Sequence, residues 1–206
     1  MARILQCVPN FSEGRDKEKV EKIVEEVRKV EGVKLLDYSS DPTHNRSVVT
    51  FVGEPEAVIE AAFNACKVAS EVIDMTTHQG EHPRMGAMDV CPLIPISEIT
   101  MDEAVELSKK LAERVGNELG ISVYLYERSA SAPTRENLAD VRRGQYEAME
   151  EKLKSEGWAP DFGPTELNKK SGVSAIGARP ALVAFNVNLN TSDAVSYTHL
   201  RAHETL

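Results

Sequence analysis

The run from Lys17 to Gly53 carries the reading of the fold. It begins KEKVEKIVEEVRKV over Lys17–Val30, where Val20, Ile23, Val24 and Val27 recur at helical spacing with Glu and Lys opposite them. That pattern predicts an amphipathic helix stopped by Gly32. Val33-Lys34-Leu35-Leu36-Asp37-Tyr38 then reads as a strand, Asp41-Pro42-Thr43-His44-Asn45-Arg46 as a polar turn, and Ser47 to Val52 as a second strand ending at Gly53. A helix followed by a hairpin-like return is not a repeating β-α-β pattern, so an all-parallel sheet is excluded.

Upstream, Ile4 to Val8 meets Pro9 and reads as an opening strand rather than a signal peptide, since only Arg3 precedes a very short apolar run. Downstream, Glu54 to Ile73 is a long apolar-rich helix with Pro55 in its first turn, where a missing N–H does no harm. Cys91 to Ile96 is a strand candidate. Thr100 to Leu119 is a third amphipathic helix, opened by a capping box of Thr100 and Glu103 and ended by Gly120. Val123 to Tyr126 gives another strand. The order β-α-β-β-α-β-α-β predicts an α+β fold, a mixed or antiparallel sheet with helices packed on one face. A helical stretch is expected near Arg135 to Leu153, a turn-rich segment near Trp158 to Pro164, and a further strand over Ala181–Asn188.

Composition narrows the function. With 206 residues, 41% hydrophobic and 28% charged, the chain is long and apolar enough to bury a core, which excludes disordered, collagen-like and coiled-coil classes. No apolar stretch approaches the roughly 20 residues a membrane span needs. Three cysteines, Cys7, Cys66 and Cys91, form no CxxC pair, so a disulfide framework is not expected and a reducing cytoplasm is the simplest compartment. A net charge of −9 without a stripe of Lys and Arg argues against nucleic acid as a partner. An anionic ligand must therefore be held by a local minority of arginines.

The densest chemistry lies in His78-Gln79-Gly80-Glu81-His82-Pro83-Arg84-Met85-Gly86. His78-x-x-Glu81-His82 formally matches an inverted zinc-peptidase pattern, but that pattern needs a helix, and Gly80 and Pro83 oppose one. No metal is expected. The same residues suit acid/base work by an imidazole, with Arg84 gripping a carboxylate in a bidentate fork; the plain alternative is histidines that only hydrogen-bond a turn. Asn10-Phe11-Ser12-Glu13-Gly14-Arg15 opens a helix and fits either an anion site or simple capping. His44, Asn45 and Arg46 add donors at a strand start, and Gly172 to Arg179 places Gly near Arg, as a ligand-approach segment or a linker. Cys66, on an apolar helix face, reads as core.

Several of these stretches resemble the glutamate formiminotransferase family: CVPNFSEG over Cys7–Gly14, NRSV over Asn45–Val48, TFVG over Thr50–Gly53, His78 through Pro92, VYLY over Val123–Tyr126, PDFGP over Pro160–Pro164 and GAR over Gly177–Arg179. The resemblance implies transfer of a formimino group from N-formiminoglutamate to tetrahydrofolate in histidine degradation, giving glutamate and 5-formiminotetrahydrofolate. It implies an N-terminal subdomain over residues 1–178, the start of a truncated C-terminal subdomain over 179–194, and a homodimer. It places the catalytic histidine on His82. Glutamate's two carboxylates and at least one on the folate tail call for arginines in a negative protein, so Arg84, Arg46 and Arg179 are read as substrate contacts, with Asn10 and Glu13 of the first loop. The folate segment falls on Gly163, Pro164, Thr165, Glu166, Leu167, Asn168, Lys169, Lys170, Ser171 and Gly172, whose middle departs from the histidine-containing form of relatives. Formyl transfer between glutamate and folate, and a folate-binding or dimerising module without catalysis, are the alternatives. From about Val195 the sequence resembles translated sequencing-adapter sequence, so residues 195–206, with His199 and His203, are read as foreign.

Overall fold

In the computed structural model residues 2–182 are described. Strand β1 (Ile4–Cys7) and strand β2 (Asn10–Phe11) are two halves of one path broken at Val8-Pro9. Pro9 has no N–H to give a neighbour, yet its carbonyl accepts from Val49 N at 3.1 Å and Val8 N donates to Pro92 O at 3.3 Å, so the break stays within the sheet. Helix α1 (Lys17–Arg28) follows, capped by Asp16, whose side chain accepts from Glu18 N and Lys19 N. Its apolar stripe is buried as expected, each branched residue contributing about 1.5–3 kcal/mol.

Strands β3 (Val33–Asp41) and β4 (Arg46–Gly53) form the expected hairpin, paired from Val33↔Gly53 to Asp41↔Arg46 with the register shifting by one residue at Leu36. Asn45 takes φ 49°, the left-handed conformation that closes the turn. Helix α2 (Pro55–Val72), strand β5 (Met88–Ser97), helix α3 (Met101–Leu119) and strand β6 (Ser122–Leu125) complete the order read from sequence, with the Thr100–Glu103 capping box in place. Cys66 is core, and all three cysteines are free and buried.

Beyond β6 the structure departs from expectation. The stretch Arg135–Leu153 is not one helix but two short ones, α4 (Leu138–Val141) and α5 (Gln145–Lys152). Gly144 at φ 85° and Gln145 at φ 55° turn the chain between them, and consecutive left-handed residues end a helix. Gly172–Arg179 is neither linker nor ligand loop, because Val173–Ala178 is strand β7, fully buried and inserted between β5 and β6. It runs parallel to both neighbours, with Val90↔Ala175 and Tyr124↔Ala175 in register. The sheet therefore reads β3, β4, β1 with β2, β5, β7, β6, antiparallel on the hairpin side and parallel on the other. The expected strand over Ala181–Asn188 lies outside the described residues apart from Ala181 and Leu182, which are not strand, and residues 195–206 lie outside them altogether.

Alternation along the strands divides the core. Cys91, Val123, Leu125 and Ile176 join the layer under α1, α2 and α3. Val90, Tyr124, Tyr126, Val173 and Ala175 face the other way and pack with Val141, Met149 and Leu153 from the α4–α5 segment. Helices thus cover one face throughout, and a smaller layer covers the parallel half of the second. On the antiparallel half of that second face Val48, Thr50 and Val52 stay half-exposed. The loop after α2 runs along the end of the sheet where β4, β5 and β7 begin, bonded to Thr43, Asn45, Lys170 and Ser171.

Candidate active site

That loop, Asp74 to Ala87, is clamped to the β3–β4 turn. The Asn45 amide donates to Gln79 O at 2.9 Å, its side-chain oxygen accepts from Gly14 N at 3.0 Å, and Glu81 N donates to Thr43 O at 3.3 Å. Gly80 is needed at this crossing, since a Cβ there would sit 2.3 Å from His44 O. One residue, Asn45, thereby joins the first loop, the hairpin and the histidine loop. Its carbonyl accepts from His78 Nε2 at 3.0 Å, which fixes the His78 tautomer, because His78 Nδ1 must then accept from Arg84 Nε at 3.2 Å.

The pocket so formed is narrow, without room for a water between its walls, and is lined by Ser12, His44, Asn45, Arg46, His78, His82, Arg84 and Asp89. His82, half-buried, faces Arg46, whose guanidinium donates to its Nε2. Burial first, then the charges of Arg46 and Arg142, push the His82 imidazole down to about 4, against a smaller opposing effect from the Pro83 carbonyl. His82 is therefore neutral at pH 7, with the Nε2 lone pair turned to Arg46. Burial also lowers His78.

Three expected contacts are engaged otherwise. Arg84 is engaged within the chain: its five N–H donors meet His78 Nδ1, His78 O, Gln145 Oε1 and both oxygens of Glu147, the latter at 2.9 and 2.7 Å. A guanidinium has no sixth donor. Glu13, buried, accepts from Arg15 N and Asp16 N and so caps this loop. Arg179 leaves β7 beside Leu93, four residues along β5 from Asp89, at the far end of the parallel strands. Asn10 remains near, on β2 opposite Val90, its amide donating to Val8 O.

The segment Gly163–Gly172 is split between two places. Gly163 packs on Gly116 of α3, and the Pro164 carbonyl accepts from Ser122 Oγ at 2.7 Å, away from His82. Its other end reaches the pocket, since Ser171 O accepts from Ala87 N at 2.8 Å and Gly172 pairs with Gly86, whose carbonyl accepts from Ser12 Oγ. Lys169 and Lys170 lie between, tied through their own carbonyls to Tyr146 OH and Met75 N. Residues 78–83 form no helix, so the spacing behind the zinc-peptidase pattern is not realised.

Two residues of this site were not anticipated. Asp89, 1% exposed, accepts from Met85 N at 2.9 Å and from the Arg142 guanidinium, and burial pushes its carboxyl up. Asp89 sits in an apolar run and Arg142 in a charged helical one, so neither stands out by type or spacing. A larger cavity of about 590 Å³, bordered by Arg143, Lys152 and Trp158, lies on the outer side of α4 and α5 and contains no imidazole.

Residues 4–179 match the formiminotransferase domain, N-terminal subdomain. The chain belongs to the formiminotransferase family. It is 56% identical over 199 residues to glutamate formimidoyltransferase of Streptococcus pyogenes serotype M1, covering 97% of this chain and 66% of that protein. Against glutamate formimidoyltransferase of Thermoplasma acidophilum the identity is 50% over 192 residues, covering 92% and 63%. Against formimidoyltransferase-cyclodeaminase of Rattus norvegicus it is 48% over 189 residues, covering 92% and 35%. This formiminotransferase chain thus spans no more than about two thirds of the length of those relatives. No helix among the described residues is long and apolar enough to cross a membrane.

Proposed function

We propose that the protein to which this chain belongs transfers the formimino group of N-formiminoglutamate to N5 of tetrahydrofolate, with His82 as the proton carrier. The observation that carries this reading is the neutral His82 imidazole whose Nε2 is turned to Arg46. In the transfer, a bond forms between N5 and the formimino carbon while the bond from that carbon to the glutamate nitrogen breaks. One proton leaves N5 and one reaches the departing nitrogen. An imidazole held low in basicity takes a proton from an acidic aminium, and once protonated it is a strong acid toward the leaving amine.

Arg46 supplies the link to the donor. It is the pocket arginine with donors beyond its one bond to His82, so a glutamate carboxylate has its place there rather than on Arg84. A carboxylate drawing Arg46 aside frees the His82 lone pair and removes part of the field that lowers its basicity. Substrate binding then switches on the base. Orientation of the two substrates by the pocket and by the Ser171–Gly172 end of the folate segment supplies much of the remaining rate. We propose further that the full-length protein is a homodimer working in the cytoplasm, its dimerisation checked by sedimentation.

The test is His82→Ala in the full-length protein. Turnover of formiminoglutamate with tetrahydrofolate is expected to fall at least about 100-fold, with folate binding by titration unchanged. Retained turnover sinks the role of His82. Running formylglutamate beside formiminoglutamate decides the donor, and faster turnover of the formyl compound would replace the reaction named here.

A further inference from the structure

We propose that Lys152, on α5 and outside the pocket wall, is a positioning residue for the reaction site: it ties down the turn after α4 so that Arg142 stays paired with Asp89. The inference rests on the His82 pocket being that site.

The end of the short helix α4 is only partly met by its own backbone: Asp140 O accepts from Arg143 N at 3.3 Å and Arg142 O from Gln145 N at 2.7 Å, while Val141 O and Arg143 O take no backbone donor among the described residues. Lys152 reaches back across the Gly144 turn to meet them, its Nζ donating to Asp140 O at 2.9 Å, Val141 O at 2.7 Å and Arg143 O at 3.4 Å. These are the three donors an ammonium has, and the carbonyls they meet bracket Arg142 on both sides. The indole of Trp158 closes the cage, with Nζ 3.8 Å from its ring centre. An ammonium with no free donor beside a 590 Å³ cavity is holding the backbone rather than awaiting a ligand.

On the other side of that turn, Arg142 is directed inward. Its guanidinium donates to Asp89 Oδ2, its side chain is 16% exposed, and its Nε is buried with no partner among the described residues. An arginine with a buried, unpartnered N–H is not kept in place by its own hydrogen bonds alone. Backbone restraint from Lys152 makes up the deficit. Arg142 in turn keeps Asp89 paired on the pocket wall and sets part of the positive field at His82, together with Arg46 and His44, while His78, Arg84 and Asp89 complete the charged or titratable surroundings.

The experiment compares wild-type full-length protein with Lys152→Met, Lys152→Arg, Arg142→Gln and the Lys152→Met/Arg142→Gln double variant. His82 titration is followed by NMR, which needs no substrate, and kcat/KM is measured for formiminoglutamate. Lys152→Met is expected to move the His82 titration upward, as Arg142→Gln does, and to lower kcat/KM about tenfold. The double variant should be no worse than Arg142→Gln alone, and Lys152→Arg should recover most of both signals. If Lys152→Met does not fold, Lys152→Leu takes its place, likewise without a donor for the cage. A folded variant without the cage donor (Lys152→Met or its replacement) that keeps the wild-type His82 titration, beside a shifted Arg142→Gln, overturns the proposal, as does full additivity in the double variant. A wild type that titrates and shifts as expected but transfers no formimino group overturns the reaction assigned above and leaves the positioning link standing.

Discussion

At the scale of single residues, the site works by denying His82 its proton. Its ordinary value near 6.5 is lowered to about 4 in the folded protein, so the folded state binds fewer protons than the unfolded chain between those limits. The stability difference tied to this group is therefore constant above about pH 6.5 and is lost as pH falls toward 4. His78, lowered by burial, adds in the same direction. Urea midpoints at pH 7.5 and 5 should thus fall more steeply with acidification for wild type than for His82→Gln. Equal losses would mean that His82 is no more shielded than in the unfolded chain. His82, Arg46 and His78 were legible in the sequence as polar residues crowded between Gly and Pro. The engagement of Arg84 by Glu147 was not, because 63 residues separate the partners and nothing local couples them.

At the scale of elements, periodicity read well wherever one face is buried and the other wet. The α1 stripe and the β3–β4 hairpin are of this kind. It failed for β7, whose residues are buried on both faces and so show no alternation, and whose flanking Gly172 and Pro180 imitate a loop. It also failed at Gly144, which breaks a continuous helical pattern. Glycine has its strongest consequence at Gly14, where a Cβ would lie 2.2 Å from Asp41 O and 2.6 Å from Arg46 N. The hairpin that presents Arg46 would have to move away. Gly14→Ala is expected to cost about 2–4 kcal/mol in urea unfolding and to depress turnover through the displaced Arg46. Wild-type stability and turnover in that variant would show that the hairpin yields freely.

At the scale of the whole molecule, the last described strand is the most interior. β7 separates β5 from β6 and contributes to both core layers, through Val173 and Ala175 on one face and Ile176 and Ala178 on the other. Native-state hydrogen exchange should therefore find the amides of Val173 to Ala178 among the slowest, opening only with global unfolding, while those of α4 exchange faster. Fast exchange in β7 would contradict the sheet order. Charge follows the same logic of scale. A chain with net charge −9 concentrates Arg46 and Arg142 beside one imidazole, and this local minority, not the overall balance, decides what the pocket attracts. By itself the sequence determined the α+β class, the three amphipathic helices, the hairpin and the loop that bears His82, since each follows from local periodicity, turn chemistry or residue type. Only the tertiary structure decided that β7 lies between β5 and β6, that Asp89 and Arg142 join the site, and that Arg84 holds a loop. Those outcomes depend on pairings between residues far apart in the chain, where burial and hydrogen-bond completion choose the partner.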